Sequence, residues 1–153
     1  FKGASKRLEL LSKGKTSYLF KDFAHAPSKV KATTKAVKEQ FPDLKLVACL
    51  ELHTYSSLDP LFIDRYRNSL EKADLPIVFY DPDSLIIKNR PPISPEEIIK
   101  AFDLPELTVF KEPQKLKDHL FELDYYQKVL LMMSSGDYGR LDWETLIAKI
   151  SHY

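Results

Sequence analysis

The chain has 153 residues, 44% hydrophobic and 29% charged, with a formal net charge of +1. That length buries a proper core as one domain, and the single cysteine, Cys49, excludes an internal disulfide. No apolar run approaches the roughly 20 residues of a membrane span, and no basic start, apolar run and small-residue cleavage site marks a signal peptide. The expectation is a cytoplasmic protein without a membrane segment, its one thiol buried and reduced.

The near-neutral total hides an asymmetry. Residues 1–38 hold ten Lys and Arg against Glu9 and Asp22, a net of +8, and the remainder sums to −7. One reading is a set of solvated strand and helix faces; the other is a surface that meets phosphates. Nucleic acid is not expected, because no nucleic-acid motif is present and the basic residues are not interleaved with aromatics.

Leu8, Leu10, Tyr18 and Phe20 alternate around Ser12-Lys13-Gly14-Lys15, which predicts a hairpin. Tyr18-Leu19-Phe20 ends a strand, Lys21 to Ser28 is a polar corner, and Ser28 to Gln40 reads as a helix. Val30, Thr33, Thr34, Val37 and Phe41 recur at helical spacing, Pro27 suits the entry position and Ser28 an N-cap. Strand, turn and helix in that order put Asp22 and His25 at the carboxyl end of a strand, where open α/β sheets bind ligands, with free helix N–H groups aimed at the same place.

After Phe41-Pro42-Asp43, Leu44 to Leu50 is almost wholly apolar, as in a strand buried on both faces. It runs into Glu51-Leu52-His53-Thr54-Tyr55, a second strand-to-loop corner bearing a histidine. Asp59-Pro60 opens a predicted helix over 61–72, with Asp64, Arg65 and Arg67 as surface charges. Leu75 to Tyr80 is a third apolar strand; Leu85-Ile86-Ile87 is too short to assign, and Pro91-Pro92 marks a loop. Ser94-Pro95-Glu96-Glu97 has the signature of a helix start, with the helix running through Ala101.

Leu107 to Phe110 is a short strand, and a helix follows from Pro113 to about Leu120, with His119 on its surface. Gln127 to Met133 is the last strand, entering Ser134-Ser135-Gly136-Asp137-Tyr138-Gly139, a turn where backbone can approach a ligand. Asp142 to Ile150 is an amphipathic helix with Trp143, Leu146, Ile147 and Ile150 on its apolar side. A hairpin followed by alternating strands and helices predicts an α/β fold: a Rossmann-like, mostly parallel sheet covered on both faces. That pattern alone says nothing of function.

Four segments carry a family resemblance. Asp22-Phe23-Ala24-His25-Ala26-Pro27 resembles the Asp-Tyr/Phe-Ala/Gly-His-His-Pro motif that opens the C-terminal domain of the muramyl ligases, and Lys29 to Thr33 fits the same segment. Phe1-Lys2-Gly3-Ala4-Ser5-Lys6-Arg7-Leu8-Glu9 resembles the Phe-x-Gly-x-x-Arg-Arg-x-Glu stretch that links the central and C-terminal domains, Lys6 replacing the first arginine. Met133-Ser134-Ser135-Gly136 resembles the turn of the branch that reattaches recycled murein tripeptide, whereas His53 resembles the alanine-adding branch. The chain departs from the pattern at Ala26, where a second histidine is common, and at Thr54, where an arginine is expected to bind the incoming carboxylate.

The resemblance implies residues 1–153 as the C-terminal domain of a longer bacterial ligase, lying beside an absent ATP-binding central domain. The whole enzyme would use ATP and Mg²⁺ to join L-alanyl-γ-D-glutamyl-meso-diaminopimelate, or alternatively L-alanine, to UDP-N-acetylmuramate by way of an acyl phosphate. Arg7, Asp22 and Phe23 would face the nucleotide. His25, His53, Ser134, Ser135 and Gly136 would face the incoming substrate, and Arg7 and His25 would carry the catalytic roles. The chain has no Gly-x-x-x-x-Gly-Lys-Ser/Thr phosphate loop, so the fragment alone is expected to be inactive and to hold no metal. The competing class is a non-catalytic α/β module that binds a phosphorylated ligand through the basic N-terminal third.

Overall fold

Alternation of side chains along six short strands sorts the apolar residues onto two faces, and the fold follows from covering both. The structure is a computed structural model that describes residues 8–54, 56–83 and 93–153. Arg7 and the 85–87 run lie outside the described residues. The strands are β1 (Glu9–Lys13), β2 (Ser17–Asp22), β3 (Lys45–Leu52), β4 (Leu75–Tyr80), β5 (Thr108–Phe110) and β6 (Lys128–Met133). The helices are α1 (Pro27–Gln40), α2 (Pro95–Phe102), α3 (Pro113–Glu122) and α4 (Trp143–Ser151).

The sheet order is β1-β2-β6-β3-β4-β5. Among the described residues only the β1–β2 hairpin is antiparallel; every other pairing is parallel. The Rossmann-like, mostly parallel sheet expected from the alternation is therefore present, hairpin included. Within β3, Leu46, Ala48, Leu50 and Leu52 join a core with Val30 and Val37 of α1 and Ile98, Ala101 and Phe102 of α2. Val47 and Cys49 point the other way, into a core with Leu116 and Leu120 of α3 and Leu146 and Ile150 of α4. Among the described residues two helices thus lie on each face, and Leu46 to Leu50 of β3 is apolar because neither face meets water. Among the described residues, no helix is long and apolar enough to cross a membrane.

Local sequence chemistry explains several boundaries. Ser94 caps α2: its Oγ accepts the Glu97 N–H at 3.1 Å, and the Glu97 carboxylate accepts the Ser94 N–H at 3.1 Å, a reciprocal capping box. Ser94→Ala should lower stability by about 1 kcal/mol and the melting temperature by about 2–4 °C; an unchanged thermal melt would show that the cap contributes nothing.

Two expectations need correction. Ser28 is not the N-cap of α1; Ala26 is, with Pro27 at the first helical position, and no side chain caps the helix. The segment over 61–72 is not an α-helix but a run of turns around one 3₁₀ helix, Ile63–Tyr66. Tertiary contacts outweigh its helical periodicity. Asn68 adopts φ 65° and sends its N–H across to the Phe102 carbonyl at 3.2 Å. Tyr66 stacks on Phe102 with ring centroids 5.2 Å apart and donates its hydroxyl to the His25 carbonyl.

The hairpin clasps the far end of α4. Helix C-termini leave carbonyls without intrahelical partners. Here Ser12 Oγ donates to Ile147 O (2.8 Å), Ser17 Oγ to Ile150 O (2.8 Å) and the Thr16 N–H to Tyr153 O (2.8 Å).

Candidate functional site

The site grows from three parallel strands whose carboxyl ends lie within two residues of one another in register. Asp22 of β2 and Leu50 of β3 are both in register with Met133 of β6. One residue further on, the chain leaves β2 at Phe23 and β6 at Ser134, while β3 runs on through Glu51 to Leu52. The β2 and β3 connections run to the α1–α2 face, while the β6 connection runs to α4 on the other face. Connections departing to opposite faces open a crevice at the carboxyl edge, which is where α/β sheets place ligands. The three corners singled out in the sequence therefore meet.

Asp22 faces the α1 side. It is 5% exposed and accepts the Thr33 hydroxyl at 2.8 Å, so it ties the strand end to the helix that follows. Its backbone carbonyl accepts the Ser134 N–H at 3.1 Å, extending the β2–β6 ladder into the corner. Phe23 is half-exposed and meets the His25 ring edge-on at 5.4 Å. The Nδ1–H of His25 donates to the Phe23 carbonyl at 3.0 Å. A carbonyl only accepts, so the neutral ring carries its proton on Nδ1 and leaves Nε2 as the acceptor. Tyr66, buried, holds the same loop by its bond to the His25 carbonyl.

The second corner is organised by a residue that the motif reading passed over. Glu51 is 4% exposed. One of its carboxylate oxygens accepts the Ser134 hydroxyl at 2.6 Å and the Tyr138 N–H at 3.0 Å. The other lies 3.7 Å from His53 Nδ1, an ion-pair distance when the ring is protonated. Ser134 Oγ in turn accepts the Gly136 N–H at 2.7 Å. The signal was available: strand alternation places Glu51 on the same buried face as Cys49, where a carboxylate must have partners.

Gly136 is tight for a stated reason. A Cβ there would sit 2.9 Å from the Glu51 carboxylate and 2.9 Å from the His53 ring. The glycine lets the turn close over both side chains. Ser135, beside it, has a buried hydroxyl with no hydrogen-bond partner among the described residues. Gly139 has a different purpose: its φ is 68°, and a Cβ would meet Pro113 at 2.9 Å, so it makes room for the start of α3 rather than for a ligand.

Tyr138 is the keystone under this turn. It holds φ 56°, a conformation rarely taken by a bulky residue. Its N–H goes to Glu51, its hydroxyl donates to the Met133 carbonyl at 2.6 Å and lies 2.8 Å from the Cys49 carbonyl. Burial holds the phenol well above its ordinary pKa, and burial followed by the nearby Glu51 charge does the same for the Cys49 thiol. Cys49 is therefore an inert core thiol rather than a nucleophile.

Comparison with known proteins shows what this fold is similar to. No protein-family model matches the chain. The UDP-N-acetylmuramate–L-alanine ligase of Ligilactobacillus salivarius is 30% identical over 132 residues, which is 85% of this chain and 28% of that protein. The murein peptide ligase of Psychrobacter arcticus superimposes with a TM-score of 0.74 at 21% identity, over 100% of this chain and 31% of that one. The chain is homologous to the muramyl ligases. Its fold is that of the muramyl ligase C-terminal domain. A single domain from Haemophilus ducreyi, described as part of a UDP-N-acetylmuramate:L-alanyl-γ-D-glutamyl-meso-diaminopimelate ligase, matches 94% of this chain and 99% of its own length, with a TM-score of 0.64 and 20% identity. The chain thus spans under a third of the full-length muramyl ligases that it resembles.

Proposed function

We propose that residues 1–153 act as the C-terminal domain of an ATP-dependent ligase that joins murein tripeptide, L-alanyl-γ-D-glutamyl-meso-diaminopimelate, to UDP-N-acetylmuramate in peptidoglycan recycling in the bacterial cytoplasm. The observation that carries this reading is the meeting of the Asp22–Pro27, Glu51–His53 and Ser134–Gly136 corners at one sheet edge in a chain related to the muramyl ligases.

In this reading the chain supplies one wall of the ligase site. It has no phosphate loop, and no group of three or more acidic, histidine or cysteine side chains converges among the described residues. ATP and Mg²⁺ would be held by a central domain of the same protein, where they would supply the activated carboxyl. Arg7, Asp22 and Phe23 are the residues proposed to serve the nucleotide side. The other side receives the amine. His25 presents Nε2, which can accept the proton that an attacking amine must lose. His53, held near Glu51, presents a ring whose side chain is 53% exposed. The Gly136 backbone and the unpartnered Ser135 hydroxyl supply neutral contacts for a peptide.

L-Alanine is the second reading for the amine. His53 and the name of the 30% identical relative favour it, whereas the Met133-Ser134-Ser135-Gly136 turn favours tripeptide. The test uses the full-length protein with ATP, Mg²⁺ and UDP-N-acetylmuramate, following ADP release with each amine. Release with tripeptide alone is the expected result, and release with L-alanine alone would transfer the protein to the biosynthetic branch. His25→Ala should lower kcat/KM about 10–100-fold, the loss of one charge-assisted contact or proton acceptor. No release with either amine would overturn the ligase reading.

A further inference from the structure

A basic hollow adjoins the first corner, on the α1 side of the sheet. Residues 26–28 at the start of α1, together with Lys31, Arg65, Arg67 and Ser69, line a cleft of about 520 Å³. Lys31 and Ser69 also line an adjoining cleft of about 270 Å³, which adds Lys35, Lys72 and Glu71. The two clefts share a wall and bring together five cations. Two carboxylates offset them: Glu71, and Asp103, which accepts an ion pair from Arg67 at 3.1 Å. Arg65 lies over the Phe62 ring at 5.1 Å, so its guanidinium is held against the same wall.

Two independent features turn this basic surface into a site. The 14-residue helix α1 begins at the cleft with no side-chain cap, because Ala26 carries no acceptor. Pro27 lacks an N–H, and the Ser28 and Lys29 N–H groups precede the first intrahelical bond, which Val30 makes to Ala26. These are the donors that hold phosphoryl oxygens at helix N-termini. The second feature is Ser69. It is 3% exposed, it lines both clefts, and its hydroxyl has no hydrogen-bond partner among the described residues. A buried hydroxyl without a partner costs free energy that a bound acceptor would recover.

We infer that this cleft binds the phosphoryl group of a phosphorylated small molecule, with the Ser28 and Lys29 amides, Lys31, Arg65 and the Ser69 hydroxyl as its donors. A tetrahedral dianion matches this mixture of point charge, guanidinium fork and backbone N–H better than a flat monocarboxylate. The volume falls within the range of small-molecule sites rather than that of a bare ion. The site is assembled from residues separate from His25, His53 and the Ser134–Gly136 turn, so it does not rest on the ligase reading.

The test is a titration of the ¹⁵N-labelled protein with inorganic phosphate at fixed ionic strength, with acetate as the carboxylate control and UDP as a nucleotide-borne phosphate. Saturable shifts of the Ser28 and Lys29 amides with phosphate but not acetate are expected. Tighter saturation by UDP through the same amides would name a nucleotide as the source; equal or weaker UDP binding would leave a different phosphate ester as the source. Arg65→Ala should weaken phosphate binding about tenfold. Ser69→Ala, which removes an unpartnered hydroxyl and is not expected to unfold the chain, should also weaken it several-fold. Non-saturating shifts spread over the surface lysines, equal response to acetate, or unchanged binding in both variants would overturn the proposal. Because no turnover is measured, failure here leaves the ligase reading untouched.

Discussion

Glu51→Ala should lower stability by about 2–4 kcal/mol, a fall of roughly 5–15 °C in melting temperature for a chain of this size. The carboxylate is buried and accepts both the Ser134 hydroxyl and the Tyr138 N–H. Truncation leaves both donors unsatisfied inside the protein. It also removes the bond that holds Tyr138 at its positive φ, so the β6 turn should loosen and His53 lose its neighbour. Glu51→Gln separates the causes. The amide oxygen can still accept both bonds, and the cost should drop to about 1 kcal/mol. Thermal melts of the two variants decide the matter; a Glu51→Ala protein that melts within about 2 °C of the parent would remove Glu51 from the centre of this site.

Gly14→Ala is the second large effect, and it acts at the opposite end of the sheet. A Cβ on Gly14 would lie 2.6 Å from the Tyr153 carbonyl carbon and 2.7 Å from the Ile150 carbonyl oxygen. Both are backbone, so neither can turn aside as a flexible side chain would. The hairpin must lift off α4, stretching the bonds from Ser17 to Ile150 and from Thr16 to Tyr153. A loss of about 3 kcal/mol is expected, with faster hydrogen exchange at the Thr16 amide. Unchanged exchange at Thr16 would mean that the hairpin and α4 are not coupled through this contact.

Much of the scaffold was legible because its signals are local. The apolar runs of β3, β4 and β6 announce strands with no wet face, and the Ser94–Glu97 spacing announces a capped helix start whose bonds the structure contains. The 61–72 segment misled for a related reason. Its apolar spacing is helical, yet Asn68 and Tyr66 are committed to Phe102 and His25, and periodicity carries no record of distant partners. Ala26 as the uncapped start of α1 was missed because Ser28 is the better capping residue type, while Pro27 takes the first helical position and puts the cap two residues earlier.

By itself, then, the sequence determined the alternation of elements, the apolar faces, and the three polar corners with their family motif, since each depends on residues within a few positions of one another. It did not determine that β6 inserts between β2 and β3. That insertion pairs strands far apart in the chain, and it alone brings Ser134 to Glu51 and the third corner to the first two. Nor did it show that Lys31 and Lys35 of α1 share a wall with Arg65, Arg67 and Ser69. Only the tertiary structure decided these, because parallel pairing and helix packing are contacts between distant segments, chosen by how both faces of the sheet can be buried at once.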